Sequence, residues 1–536
     1  MMRFVTIAVA ALALVACQQT ATPRPGTAVS QQQFTEKHRP QFHVTPPAKW
    51  MNDPNGMVFF DGEYHLFYQH YPDSSVWGPM HWGHAISTDL VHWQHLPIAL
   101  YPDSLGLIFS GSAVVDWKNT SGFGVDGKPP MVAMFTYHDM AGEKAGTKTF
   151  QTQGLAYSTD RGRTWTKYAG NPVIPNPGIR DFRDTKVIWH EESQRWIMVL
   201  AAGDRIRIYS SYNLREWQPA SEFGANVGAH GGVWECPDLF PLRIEGTTET
   251  RWVLLVSMNP GGPNGGSATQ YFVGNFDGST FTLDPQFASG VGAAGKEPGR
   301  GIWVDHGRDN YAGVTWSDVP ATDGRRLFIG WMSNWDYARD VPTEAWRSAM
   351  TVPRSLTLRR TPAGLRLMST PVSELRLLRD ATVSMKEQQV VGATPLRYPA
   401  DGLVAQSEID MEFLVSPADT SDVSVELSNA AGETYRVGFD QATRRFYSDR
   451  TALPKGFSDK FATGVHWAPR IVTDSVVRLH LYIDRASVEL FADGGATALT
   501  DILFPTQDFT AARLVVKGDA VRVRYANVSS LKSIWR

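Results

Sequence analysis

Three short acidic runs carry residue types that could do chemistry. They are "WMNDPNG" with Asp53, "DFRDTKV" with Arg183 and Asp184, and "WECPDLF" with Glu235. A lone surface Asp or Glu is ordinarily a solvated charge. These three are flanked by apolar strands rather than charged loops, and a carboxyl set beside Trp and Phe loses water. That loss raises its pKa and suits one of the three to act as a general acid. Cleavage of a glycosidic bond needs such a division of labour. One carboxylate attacks the anomeric carbon, while a second, kept protonated, gives its proton to the leaving oxygen and later activates water. A third acid with a neighbouring arginine can hold sugar hydroxyls and stabilise the positive charge that develops at the transition state. The Asn, Asp, Pro and Gly of the first run also read as turn punctuation before a strand.

The elements that must position these acids are short strands. The chain has 536 residues, 42% of them hydrophobic, enough for more than one core and a two-domain expectation. Its net charge of −3 lacks the basic excess of a nucleic-acid binder. With 18 Trp, 26 Phe and 17 Tyr among 47 Gly and 33 Pro, the composition suggests a turn-rich β protein able to stack on flat or ring-shaped ligands such as sugars. From Phe42 to Leu358 apolar-alternating strands are separated by turns, and Asp61-Gly62 is placed to close a hairpin between Met57–Phe60 and Glu63–Gln69. A weak repeat, "STDLVHW", "STDRGRTW", "SYNLREW" and "NFDGSTF", starts at Ser87, Ser158, Ser211 and Asn275. Its spacing of roughly 50 to 70 residues suits a four-stranded propeller blade and gives about five blades; a large β-sandwich is the alternative. Residues 359–387 read as a connecting segment with a helical turn. From 388 to 536 the strict alternation of "SEIDMEFLV", "VRLHLYID" and "ARLVVKGDAVRVRYANV" predicts a β-sandwich accessory domain.

The N-terminus reads as an export signal. A basic Arg3 precedes an apolar stretch from Phe4 to Val15, too short to span a membrane. "LVAC" resembles a bacterial lipobox, which implies a signal peptide over 1–16 and lipid on Cys17; an ordinary signal peptide cut near Ala16 is the other reading. Gln18 after the cysteine favours, by the same resemblance, the outer membrane. The polar stretch 17–41 reads as a flexible tether. With Cys17 lipidated, Cys236 is the one remaining cysteine and no disulfide is expected.

Other candidate residues have structural readings. His81, His84, His92 and His95 are closely spaced without convincing ligand geometry, so no metal is expected. Cys236 reads as a small packing residue, and Trp82, Trp93 and Trp165 as rings between blades.

The acidic runs, together with "FYQHYP", "WGPMHWGHA", "FSGSAVV", "IGWMSNWDY" and "SVELFADGGATALTDILFP", resemble the signature blocks of glycoside hydrolase family 32, in order and from about residue 42 to the C-terminus. The resemblance implies an all-β fold, a five-bladed β-propeller followed by a C-terminal β-sandwich. It implies Asp53 as nucleophile, Glu235 as general acid/base and Asp184 as transition-state stabiliser, with Asn52, Gln69, Trp77, Phe109, Ser110, Arg183 and Trp335 lining a fructosyl subsite. It further implies retention of configuration and a fructan substrate, with no cofactor; it implies no oligomeric state. Exo-acting fructan hydrolysis, invertase or endo-levanase activity, and a catalytically silent glycan-binding protein are the readings it leaves. The family block usually has proline where this chain has Thr185, so a freer loop at Asp184 is expected.

Overall fold

The computed structural model describes residues 34–416 and 418–535. The expected signal peptide, the lipidation site Cys17 and the tether up to residue 33 lie outside the described residues. Residues 38–41 are buried, so the tether does not extend to 41 as expected. Two contacts dock this stretch: the Arg39 guanidinium lies 4.4 Å from the centre of the Trp346 ring, and the Gln41 amide donates to Asp484 at 2.8 Å.

Five sheets stand around an axis, each with its first strand innermost: Lys49–Phe60, Leu107–Val115, Phe182–His190, Val233–Arg243 and Tyr311–Thr315. Hydrophobic runs such as Met131–His138, buried at every position, form the middle of the blades, while outer strands such as Gln218–Phe223 are largely exposed. The Asp61-Gly62 hairpin forms as expected, with φ of 50° and 84° matching a tight turn of primed type. The weak repeat is one turn used again in successive blades, between the third and fourth strands. In the first three, Ser87, Ser158 and Ser211 accept the amide of the residue two further on. The indole N–H groups of Trp93, Trp165 and Trp217 then cap the same turns by donating to Leu90, Gly162 and Leu214 carbonyls. Ring closure comes from Lys49 and Trp50, which pair in parallel with Trp346 and Arg347 of the last blade's excursion.

The fifth blade runs further than the sequence suggested. Arg354–Thr361 and Gly364–Pro371 pair over eight positions as its outer strands, so the propeller ends at Pro371, not Leu358. Only Ser373–Leu378 is helical in the expected connecting segment, and Arg379–Met385 already pairs with the last strand of the second domain. That last strand, Ala511–Leu531, is long enough to serve both layers of the sandwich. Its first part pairs with Asp422–Ser428 and its second with Ser407–Leu414. The two domains meet through a buried polar network in which Arg354 binds Asp305 at 2.9 Å and Glu489 at 2.5 Å.

Candidate active site

Each inner strand breaks its ladder close to its start, at the same end of the axis. Asn52-Asp53 oppose Gln69 alone, Phe109-Ser110 oppose Thr136, Cys236-Pro237 oppose Val256, and Ala312-Gly313 oppose Gly330. In the third blade Asp184 is the extra residue between Arg183 and Thr185, and its φ of 68° is left-handed. Bulges re-aim side chains and end regular pairing. Repeated five times around one axis, they turn Asp53, Ser110, Asp184, Glu235 and Tyr311 into a common pocket of about 450 Å³.

Asp53 is held from several sides. Ser110 Oγ donates to its Oδ2 at 2.7 Å and Asn52 Nδ2 to its Oδ1 at 2.9 Å. Asn52 is fixed in turn by the Trp50 indole N–H, 2.7 Å from its Oδ1, which explains a tryptophan at the head of a turn. Gln69 donates to Asn55 at 2.8 Å, and Asn55 donates to the Asp53 carbonyl at 2.8 Å. Burial raises the Asp53 pKa above its ordinary value; the bonds from Ser110 and Asn52 pull it back, while the Glu235 charge adds to the rise.

Glu235 accepts from Arg183 Nε at 3.1 Å and Nη2 at 2.7 Å, while Tyr311 Oη donates to its other oxygen. Asp184 Oδ2 accepts the Cys236 amide at 3.1 Å. Burial lifts the Asp184 carboxyl to about 7; Arg183 opposes the rise and the Glu235 and Asp53 charges reinforce it. The Cys236 thiol packs against Asp53 and Asp184, and burial pushes its pKa well up, so it is a neutral wall between the acids. Asp53, Asp184 and Glu235 crowd one small pocket whose arginine, Arg183, is bound to Glu235 and to Asp181, each at 2.7 Å; they cannot all be ionised cheaply, the electrostatic condition under which one stays protonated.

The expected looseness at Thr185 is absent. Thr185 is 3% exposed, pairs with Leu200, and donates its hydroxyl to the Met134 carbonyl at 3.1 Å. The Asp184 amide donates to Thr136 Oγ1 at 3.0 Å. Side-chain bonds to the neighbouring blade hold here what proline would hold through its ring.

Every residue expected at the subsite lines the pocket: Asn52, Gln69, Trp77, Phe109, Ser110, Arg183 and Trp335 beside the three acids. Trp335 stacks near Trp50, with ring centres 6.0 Å apart, and Trp77 meets Phe109 edge-on. Sequence reasoning missed Tyr311, Asp181, His138, Glu143 and Arg339 of the same lining. Tyr311 had one usable signal: five blades require a fifth inner strand, and "YAGVT" is its apolar run. Of the four histidines, His84 meets His65 at 3.0 Å, His92 meets Asp89 at 2.8 Å, His81 meets the Pro79 carbonyl, and His95 lies 3.4 Å from Tyr68.

A propeller with paired carboxylates at one end of its axis, followed by a sandwich, defines a class of glycoside-cleaving enzymes, and comparison with known proteins agrees. Residues 43–371 match the N-terminal domain of glycosyl hydrolases family 32 and residues 374–532 the family's C-terminal domain, so the chain belongs to that family. It is 47% identical over 508 residues to a levanase of Bacillus subtilis (strain 168), covering 94% of this chain and 72% of that one. It is 39% identical to an extracellular exo-inulinase of Aspergillus niger, covering 94% and 96%. The crystal structure of exo-inulinase from Aspergillus awamori superposes with a TM-score of 0.84 at 37% identity, covering 94% of this chain and all of that one.

Proposed function

We propose that this protein is an exo-acting β-fructosidase that removes terminal non-reducing fructose from fructans such as levan or inulin, and from sucrose, with retention. The observation that carries the reading is the convergence of Asp53 and Glu235, with Asp184 and Arg183, on one axial pocket. Asp53 attacks the anomeric carbon and forms a fructosyl ester. Glu235 protonates the departing oxygen and then takes a proton from the water that hydrolyses the ester. Tyr311 and Arg183 fix its carboxyl on opposite oxygens. Asp184 lies where it can bind ring hydroxyls and offset the charge of an oxocarbenium-like transition state.

Product analysis on levan, inulin and sucrose in parallel tests the exo reading. Fructose as the sole early product from the polymers is expected; a ladder of oligosaccharides would establish endo action instead. Asp53→Ala and Glu235→Ala are each expected to remove nearly all hydrolysis while the protein stays folded by circular dichroism.

We also infer export and lipid attachment at Cys17, supported by "LVAC" after a short apolar stretch and by the polar run that follows it. Metabolic labelling with a fatty acid should tag the protein, and Cys17→Ala should abolish the label; equal labelling of that variant would refute the anchor.

A further inference from the structure

The inner strands all run the same way along the axis, so residues five to seven positions past the catalytic ones emerge at its other end, roughly 20 Å away. A second cavity of about 480 Å³ opens there, as large as the catalytic pocket. Lys186 and Asp238, 3% and 0% exposed and 3.2 Å apart, form an ion pair between the two levels. We propose that this far-mouth cavity is a second, non-catalytic glycan-binding site that holds a neutral β-fructan chain. The choice of fructan rests on the function proposed above.

The walls fit a sugar. Trp189 and Trp252, both half-buried, line the cavity. Trp117 stands next to it, 61% exposed, its indole N–H donating to Asp318, a lining residue, at 2.9 Å. Tryptophan is highly buried on average, so three partly exposed rings around one mouth offer apolar surface that the C–H side of a sugar ring can cover, with the Lys118 ammonium 4.5 Å from the centre of the Trp189 ring. Ligand sites combine such walls with a few placed polar groups. Here the Ser317 hydroxyl, in a residue 8% exposed, has no hydrogen-bond partner among the described residues. The Arg326 guanidinium rests on the Phe240 ring and, among the described residues, makes one hydrogen bond, 3.3 Å to the Trp316 carbonyl, and touches no carboxylate.

The charges favour a neutral ligand. Lys186 is answered by Asp238, and Arg326 lies in the field of Asp238 and Asp318. An anion entering would pass the exposed Glu192 and Glu191, the latter 3.8 Å from Lys118, and a cation would meet Lys186 and Arg326 inside. A polyhydroxylated chain donates and accepts without either penalty. Held at this mouth, a polymer keeps its free ends close to the catalytic pocket, which raises their effective concentration.

The test is retardation in native gels cast with levan, inulin or dextran, using the Glu235→Ala protein so that the gel is not digested. Two further substitutions are placed in that protein: Trp189→Ala, which removes a wall, and Thr250→Arg, which crowds the mouth from an exposed position. Each is expected to reduce retardation by levan or inulin several-fold, with little retardation of any variant by dextran. In the protein with Glu235 intact, both should leave sucrose hydrolysis unchanged and raise KM for the polymer. Unaltered retardation by fructans, no retardation of the parent, or equal loss in dextran gels overturns the proposal. Failure of the fructosidase reading would show separately, as absence of sucrose and fructan hydrolysis by the unsubstituted protein.

Discussion

Asp53 is tuned by opposing effects, burial raising its pKa and Ser110 supplying the first of the bonds that lower it. A hydrogen bond to a charged group contributes about 1.5–3 kcal/mol, so Ser110→Ala should move the acid limb of kcat/KM to higher pH by about one to two units. A pH–rate profile checks this; an unmoved limb with lower kcat would mean that Ser110 acts on substrate alone. Asp184 gives a prediction of stability. Its folded pKa is raised from 3.8 to about 7, so the folded state holds the proton more tightly than the unfolded chain. Folding therefore loses stability as pH climbs through that window. Asp184→Asn should lose most activity yet melt a few degrees higher than the parent at pH 7.5, with the difference gone at pH 4. Scanning calorimetry at the two pH values decides it.

At the scale of elements, the site is a consequence of five bulges at one end of five inner strands. Bulges need room on the neighbouring strand. At Gly111, beside Ser110, an added Cβ would lie 2.0 Å from the Met134 carbonyl oxygen. Gly111→Ala must push the inner strand of the second blade off its partner, so it should cost about 3 kcal/mol and cut kcat through the displaced Ser110. Urea unfolding and turnover measured together test both halves. The first three blades were legible in sequence because their turns repeat a Ser-x-Asp or Ser-x-Asn pattern closed by a tryptophan, and the fourth through the more degenerate turn at Asn275. The limits of the fifth blade were not, because residues 333–353 interrupt it between its second and third strands and carry no such turn. The acids and most of the pocket were legible through short blocks around them. Tyr311 was marked only by the apolar run of a fifth inner strand, and Glu143 and Arg339, on a short helix and in the 333–353 excursion, reach the pocket through connections that no local pattern marks. The expected looseness at Thr185 failed for the same reason: the carbonyl that receives its hydroxyl lies 51 positions away in sequence.

For the whole molecule, the sandwich pins the start of the propeller. His43 bonds Asp484 at 2.8 Å and Glu489 at 2.9 Å, and Glu489 also binds Arg354 of the fifth blade. Burial opposes a charge on His43, but the two carboxylates outweigh it and hold its pKa at about 9. A raised histidine pKa contributes stability fully below the ordinary value of 6.5, and that contribution is lost as pH rises through about 9. The melting temperature should therefore fall between those values, and His43→Gln should flatten the decline while lowering stability at pH 6. An equally steep decline in the variant would assign the effect to other groups.

All three scales meet in Asp53, placed by its bulge, held by Ser110 and Asn52, and aimed along an axis that the sandwich closes. The most direct test is to quench the Glu235→Ala protein in acid after mixing with a fructosyl donor whose leaving group needs no protonation, then map the labelled peptide by mass spectrometry. One fructosyl unit on the peptide carrying Asp53 is the predicted result; a unit on the peptide carrying Asp184 would contradict the account.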